Sequence, residues 1–321
     1  MARSNDPHSP FTHEILRRAK IHGLTFHKVE VAGGYVLILR VPASYDGPHG
    51  IRISKNKNNN QWWRFVMRNG TMISDMSYDQ IRGAFDRTAT LAEQARRFIA
   101  NRRQNILNGE TPVPLRSGPK LVVHLVPIAG LAGRMSVDLK PIYDRSYADY
   151  FKIVGGGNRV FNLDGLVVHS DAWKEDGYKA YNQIFRNGIH EGVILGSDVL
   201  ETSQKLIHES SIDYPLYKSA KLFVEKVQSW GFAGPAILGL GILNVKGFEL
   251  SINKSIGDPF RTPSVADRPN LVLPEEWIDD LNTVDIEGTV RPLLDTLWQA
   301  FGIERCPYFD DVTGKFAPRQ R

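Results

Sequence analysis

The chain has 321 residues, 42% of them hydrophobic and 23% charged, with a formal net charge of +5. This composition excludes a disordered chain, and the length favours two domains. The single cysteine, Cys306, excludes an intramolecular disulfide and a multi-thiolate metal centre. No apolar run reaches the roughly 20 residues of a membrane-spanning helix, and the first residues lack an apolar signal segment, so we expect a cytoplasmic protein.

The first 110 residues predict a small sheet with helices packed on it. The run Tyr35–Val41 has no polar alternation, which is typical of a strand buried on both faces, and Gly33 favours a tight turn before it. The predicted elements are a helix over 14–21 capped by Thr12, strands over 26–31, 35–41, 51–55 and 62–68, and helices that begin at the capping boxes Ser77–Gln80 and Thr90–Glu93.

The second half predicts a β-rich domain with peripheral helices. Asn108-Gly109 and the prolines that follow end the last N-terminal helix, so we place domains at 1–110 and 120–321. The fold class is therefore α+β. Predicted strands span 121–128, 159–169, 181–185, 188–195, 236–243 and 248–252, and predicted helices span 213–230 and 289–301, with Pro292 in the first turn of the latter.

Basic residues cluster in the N-terminal half, since Lys and Arg outnumber Asp and Glu over the first 103 residues while 267–295 is acidic. Any nucleic-acid surface therefore belongs to the N-terminal half. In the strand 62–68, period-two geometry places Trp63 and Phe65 on one face, to fill the core, and the remaining aromatic and basic side chains on the other. The residues predicted to contact nucleic acid here are Arg52, Lys55, Trp62, Arg64 and Arg68. An ordinary surface strand with a half-buried Trp is the alternative.

The helix after Leu91 adds a second basic set. Arg96 and Arg97 are predicted to contact phosphates, and helical spacing places Arg96 and Arg103 on one side of that helix. The alternative is a solvated helix face. His49, after Pro48, is a candidate phosphate donor or, alternatively, a turn cap.

Few other polar residues indicate chemistry. His124 is expected to be a hydrogen-bonded core residue, and Glu191 and His190 lie near strand ends where only the fold decides their role. Gly155–Gly157 lacks the lysine and the helix start of a phosphate-binding loop. We predict no catalytic residue, no metal ligand and no cofactor.

Four linked segments carry a family resemblance. They are Val36-Leu-Ile-Leu-Arg-Val-Pro-Ala-Ser44, Gly47-Pro-His49, Arg64-Phe-Val-Met-Arg-Asn-Gly70 and Met76-Ser-Tyr-Asp-Gln-Ile-Arg-Gly-Ala-Phe85. In this order they resemble the C-terminal part of the Schlafen AlbA-like domain of bacterial DNA-binding proteins. The pattern from Arg96 to Pro127 is similar to the companion domain that follows it. The resemblance implies a truncated AlbA-like sheet that binds nucleic acid.

The family's catalytic segments have no counterpart here. In the family, acidic and lysine residues linked to nuclease activity lie in a Glu-x-Lys segment and in a Gly-Gly strand that ends in an acid, whereas Gly33-Gly34 precedes a run that ends in Val-Pro. A two-metal phosphodiesterase needs several carboxylates held together. Residues 1–50 do not supply that set.

Three hypotheses follow. The first is a nucleic-acid-binding protein without a catalytic site of its own, whose specificity for DNA or RNA is open. The second is a subunit of an assembly, whose N-terminal sheet is completed by strand addition from a partner or a second copy. The third is a metal-dependent RNase that recruits carboxylates from the second domain.

Overall fold

A computed structural model describes residues 25–41, 44–45, 47–55, 60–144, 157–170, 177–196, 205–252 and 264–317. The fold is α+β, as the sequence predicts. The helix predicted over 14–21 lies outside the described residues, as do Gly155 and Gly156 of the glycine triplet. None of the helices in the described ranges combines the length and the apolar character that crossing a membrane requires.

Five strands and one helix form the N-terminal part. They are β1 Thr25–Val31, β2 Gly34–Arg40, β3 Gly50–Lys55, β4 Asn60–Asn69, β5 Met72–Asp75 and α1 Tyr78–Leu107. β1 and β2 form an antiparallel hairpin, and β3, β4 and β5 form a three-stranded antiparallel sheet. The hairpin turn contains Gly33 with a φ of +87°, a conformation that glycine adopts without strain. The predicted strands are confirmed, and β5 is an additional one.

The burial predicted for β2 is wrong. All seven residues of this strand are exposed, although most of them are Val, Leu and Ile. The hairpin forms a separate two-stranded sheet, so no described strand flanks β2 on its second edge. An apolar run without alternation therefore does not mean burial on both faces here.

The two predicted N-terminal helices are one continuous helix of 30 residues. Its start is confirmed, since the Ser77 side chain accepts from the Gln80 amide and the Gln80 side chain accepts from the Ser77 amide. The second predicted start is wrong because the Thr90 hydroxyl donates to the Asp86 carbonyl 2.8 Å away, within the helix. Alanine and other good helix formers around Thr90 allow the helix to continue.

The second part is built on an eight-stranded sheet. The elements of this part are β6 Lys120–Pro127, α2 Ile128–Leu131, α3 Lys140–Asp144, β7 Asn158–Phe161, β8 Gly165–His169, β9 Ala180–Phe185, β10 His190–Leu195, β11 Leu206–His208, α4 Asp213–Ser229, β12 Ala236–Leu243, β13 Glu249–Ser251, β14 Leu271–Val272, β15 Glu276–Ile278 and α5 Ile286–Gln299. The strands of the large sheet follow the order β14-β12-β6-β10-β9-β8-β7, β15 also pairs with β12, and all these pairs are antiparallel. A short parallel pair, β11 and β13, lies outside this sheet.

Helices cover both faces of this large sheet. On one face, Leu121, Val123 and Leu125 of β6 join a core with α4 and α5. On the other face, the alternate β6 residues Val122 and Val126 pack against α1. Both faces are therefore dry, and β6, β8 and β9 are buried along their whole length.

Glycine at position 239 allows α1 to approach the sheet. A Cβ added there would lie 3.0 Å from Nη2 of Arg103 and 3.3 Å from two carbons of Ile99. Such distances are shorter than ordinary van der Waals contacts, so any larger residue would displace the helix or its side chains. The close approach brings the C-terminal half of α1 into the second core.

The domain boundary between 110 and 120 stays a prediction. Residues Ile99 and Ile106 of α1, which precede it, share cores with the strands that follow it. An ion pair also crosses it, because Nη1 of Arg103 lies 3.0 Å from Oε1 of Glu275. The helix thus belongs physically to the large sheet as much as to the small one.

Two local predictions in the second part are wrong. The run 159–169 is two strands, β7 and β8, joined by a turn in which the Asn162 side chain accepts from the Gly165 amide. The last helix begins at Ile286, so Pro292 lies in its interior and not in its first turn. The remaining predicted strands and α4 are confirmed to within a few residues.

Candidate nucleic-acid interface

The central strand β4 presents an aromatic and basic row on one face of the three-stranded sheet. We name this the Trp62 face; it carries Trp62, Arg64, Val66 and Arg68 from β4, with Ile51 of β3 and Ile73 and Asp75 of β5. The Trp62 ring is 38% exposed, and the arginines are exposed beside it. The row Trp62, Arg64 and Arg68 is thus present as the sequence predicts.

The opposite face differs from expectation. We name it the Trp63 face; it carries Trp63, Phe65 and Met67 of β4 and Met72 of β5. Trp63 is 64% exposed and does not fill a core, whereas Phe65 is half-buried. Both rings lie against Gly50, where a Cβ would be 3.0 Å from the Trp63 ring. None of the described side chains of this face is charged, and Asn69 and Ser74 are its polar members.

The arginines of the Trp62 face differ in their partners. Nε of Arg64 donates to the Asp75 carboxylate, which neutralises its charge. Nε of Arg68 donates to the Gly70 carbonyl 2.9 Å away. A carbonyl leaves the charge of the guanidinium in place and leaves both terminal nitrogens of Arg68 to other acceptors. Arg68 is therefore the better phosphate ligand of the two.

A shallow depression lies at the β4–β5 turn. Its volume is about 410 Å³, and Arg68 lines it together with Val66, Met67, Thr71 and Ile73. An apolar floor beside a guanidinium suits a ring that carries a nearby negative charge. The depression thus extends the Trp62 face beyond the row of β4 side chains.

Two predicted contacts on β3 are placed only in part. The backbones of Arg52 and Lys55 pair with Trp63 and Asn60 of β4. Their side chains lie outside the described part of the structure. Register assigns position 52 to the Trp63 face.

The predicted helix arginines lie apart from the sheet. Arg96 is exposed, and Nε of Arg97 donates to Glu93 on the next turn at 3.1 Å. Arg96 follows Tyr78 by 18 residues, or about 27 Å along the axis. Both arginines therefore lie about five turns into α1 from the helix end that follows β5. Arg103, seven residues after Arg96 and therefore on the same side of the continuous helix, is buried against the large sheet.

His49 makes a local contact. Its Nε2 lies 2.5 Å from the Ser44 hydroxyl, five residues earlier. The contact closes the segment before β3, which agrees with the alternative of a turn cap. It engages one ring nitrogen and does not exclude a ligand at the other.

A buried polar network lies on the other side of α1. Glu191 of β10 is completely buried and accepts four hydrogen bonds: two from Arg102 at 2.7 Å, one from Tyr181 at 2.8 Å and one from His124 at 3.0 Å. His124 is the buried, hydrogen-bonded residue that the sequence predicts. The network joins α1 to β6, β9 and β10.

Burial and hydrogen bonding together determine the protonation states of Glu191 and His124 in this network. Burial alone would raise the pKa of Glu191, but the hydrogen bonds from Arg102 and His124 outweigh it and lower this pKa to about 2. Burial lowers the pKa of His124, so its imidazole is neutral and its Nε2–H donates to the carboxylate. The network is a buried ion pair that clamps α1 to the large sheet, and within it Nδ1 of His124 is buried without a hydrogen-bond partner.

A second polar cluster lies at the C-terminal end. The Asp213 carboxylate, at the start of α4, accepts from the Trp298 indole nitrogen at 3.0 Å. Burial raises the pKa of Asp213 to about 8, and nearby Glu209 and Asp295 add to the effect. Sequence reasoning missed this cluster because its members are 85 residues apart. In the described ranges, no group of three or more His, Cys, Asp and Glu side chains is placed to hold a metal ion.

We compared the chain with known protein families, proteins and structures. No family model, no curated protein and no solved structure matches this chain.

Proposed function

We propose that this protein binds single-stranded nucleic acid on the Trp62 face and carries out no chemistry there. One observation carries the proposal: an exposed indole ring and two guanidinium groups stand in one row, Trp62, Arg64 and Arg68, on a central strand. Bases stack on aromatic rings, and arginines contact the phosphates between them.

The exposed Trp62 ring favours a single strand over a duplex. Stacking on Trp62 requires the face of a base, which a duplex hides between neighbouring base pairs. The helix α1 is a weak reader of duplex grooves, since Arg97 is paired with Glu93, and Arg82 lies 3.9 Å from Asp86. Arg87 and Arg96 are exposed on the same helix and add two further positive charges to its surface.

The family resemblance supports the same proposal. The segments that carry it form β2, β4 and the capped start of α1, and one of them, β4, is the strand that bears the Trp62 row. We accordingly propose that residues 25–107 are a Schlafen AlbA-like unit that retains the family's binding sheet.

Neighbouring tryptophans on opposite faces provide a matched test. Fluorescence anisotropy with labelled single-stranded DNA and RNA of equal length measures affinity for the parent, Trp62→Ala and Trp63→Ala. We expect Trp62→Ala to weaken binding about tenfold or more, because one base-stacking contact contributes about 1–3 kcal/mol. Trp63→Ala should retain the parent affinity. The ratio of DNA to RNA affinity identifies the natural ligand.

Arg68 tests the phosphate contact. Replacing Arg68 with Gln should weaken binding and reduce the slope of log affinity against log salt by about 0.7. Arg268→Gln is the control, since Arg268 is an exposed arginine in the second part. Equal losses in Trp62→Ala and Trp63→Ala, or equal slopes in the two arginine variants, would contradict the proposal.

A further inference from the structure

The β1–β2 hairpin exposes more apolar surface than a free hairpin tolerates. Val36, Leu37, Ile38 and Leu39 of β2 are each about half exposed, and Val29 of β1 is 44% exposed. Two isolated strands are only marginally stable in water; three or more strands with a hydrophobic face, or packing against a helix, give independent stability. An additional strand on the hairpin would supply that stability.

The two edges of the hairpin differ in their chemistry. β1 carries His27, Lys28 and Glu30, and charged side chains on an edge strand oppose the addition of another strand. β2 has no charged residue before Arg40, its last residue. Among the described residues, β2 pairs only with β1. Of the two edges, β2 is therefore the one whose side chains do not oppose an added strand.

We propose that two copies of this chain associate by antiparallel pairing of their β2 strands. The pairing is two-fold symmetric and centred on Leu37, and it produces a four-stranded sheet with β1 at each outer edge. This exceeds the three strands that an independent sheet requires. Symmetric pairing of one patch with itself is the usual arrangement of homodimers.

The register around Leu37 is free of charge repulsion. Leu37 of one copy lies opposite Leu37 of the other, Val36 opposite Ile38, and Tyr35 opposite Leu39. Aliphatic and aromatic cross-strand pairs of this kind are favourable, and like charges opposite one another are not. Arg40 lies opposite Gly34, so the two guanidinium groups are kept at opposite ends of the paired strands. Self-complementarity is the reason to assign a second copy.

Sedimentation of the full chain at several concentrations tests the dimer. Leu37→Lys places two lysines opposite each other on the two-fold axis and should raise the dimer dissociation constant roughly tenfold or more. Val29→Lys is the control: it adds the same charge to an exposed valine of the same hairpin, but on β1. Position 37 also pairs with Lys28 within the hairpin, so Leu37→Glu, which does not repel Lys28, is needed beside Leu37→Lys. The control should dimerise like the parent.

A charge-swap experiment excludes misfolding as the cause. Leu37→Glu should also be monomeric alone, and an equimolar mixture of Leu37→Lys and Leu37→Glu should form a one-to-one dimer, since opposite charges then face each other. A monomeric parent at the highest concentration would overturn the proposal. So would equal weakening by Leu37→Lys and Val29→Lys, or a mixture that stays monomeric. The test does not involve Trp62 or Arg68 and is independent of nucleic-acid binding.

Discussion

The N-terminal hairpin and the eight-stranded sheet use similar residues in opposite ways. β2 and β6 are both runs of Val, Leu and Ile, yet every residue of β2 is exposed and every residue of β6 is buried. Helices cover both faces of the large sheet, whereas the hairpin and the three-stranded sheet have exposed side chains on both of their faces. Within the described residues, the large sheet is therefore the buried scaffold, and the contact surfaces that we propose lie on the small sheets.

The largest effect should come from the buried clamp. Glu191→Gln removes the only carboxylate of the network and leaves the Arg102 charge without its partner inside the protein. We expect the free energy of unfolding to fall by about 3–5 kcal/mol. Urea denaturation checks this, with Asp75→Asn as the control, since its exposed pair with Arg64 should contribute under about 1 kcal/mol. Equal losses would mean that the two regions do not differ as described.

Asp213 should make the stability depend on pH. Its pKa of about 8 in the folded protein lies above that of an unfolded aspartate because the carboxyl is buried. The folded state therefore binds more protons between pH 4 and 8, and this contribution to stability is lost as the pH rises, by at most about 1.4 kcal/mol per pH unit.

Asp213→Asn isolates this contribution, since the amide cannot ionise. Urea denaturation at pH 5 and pH 8 should show the parent losing more stability than the variant over that interval. Asp144→Asn, a surface substitution, should follow the parent. A parallel pH dependence in the parent and Asp213→Asn would remove Asp213 as the cause.

Sequence patterns predicted the local elements well and the tertiary environment poorly. The capping box at Ser77 and the hairpin at Gly33 are local chemistry, and both are confirmed. Thr90 begins a second capping-box pattern, but the helix continues through it because no neighbouring residue ends a helix there. The burial of β2 could not be predicted, because an apolar strand looks the same whether or not something covers it.

The site residues show the same limit. Alternation predicted that Trp62, Arg64 and Arg68 share a face, since neighbours on a strand fix that relation. It could not show that Asp75 neutralises Arg64, because that contact depends on the pairing of β4 with β5. Glu191 lies 89 residues from Arg102, so only the fold brings them together.

A substitution at the contact between α1 and the large sheet should lower the stability of the protein by an intermediate amount. Gly239→Ala places a Cβ 3.0 Å from Arg103 and 3.3 Å from Ile99, and overpacking of this kind costs about 1–3 kcal/mol. Gly34→Ala is the control, because a Cβ at Gly34 of β2 meets no atom within 4 Å. Thermal unfolding should show a lower midpoint for Gly239→Ala alone. Equal midpoints would show that α1 does not pack tightly on β12.

The smallest effect concerns the neutralised arginine. Asp75→Asn frees Arg64, so affinity for single-stranded nucleic acid should rise about twofold to fivefold, in line with an exposed pair of under about 1 kcal/mol. Asp86→Asn removes the same charge on α1, next to Arg82, and should change affinity less. Anisotropy titrations at one salt concentration measure both. A larger gain from Asp86→Asn would move the binding surface to the helix.

Amide hydrogen exchange with and without a single-stranded oligonucleotide tests the central claim most directly. The account predicts that the oligonucleotide slows exchange in peptides from 60–75, which form β4 and β5, and leaves β6 and β12 of the buried sheet unchanged. Unchanged exchange over 60–75, or slowing confined to peptides from 120–317, would contradict it.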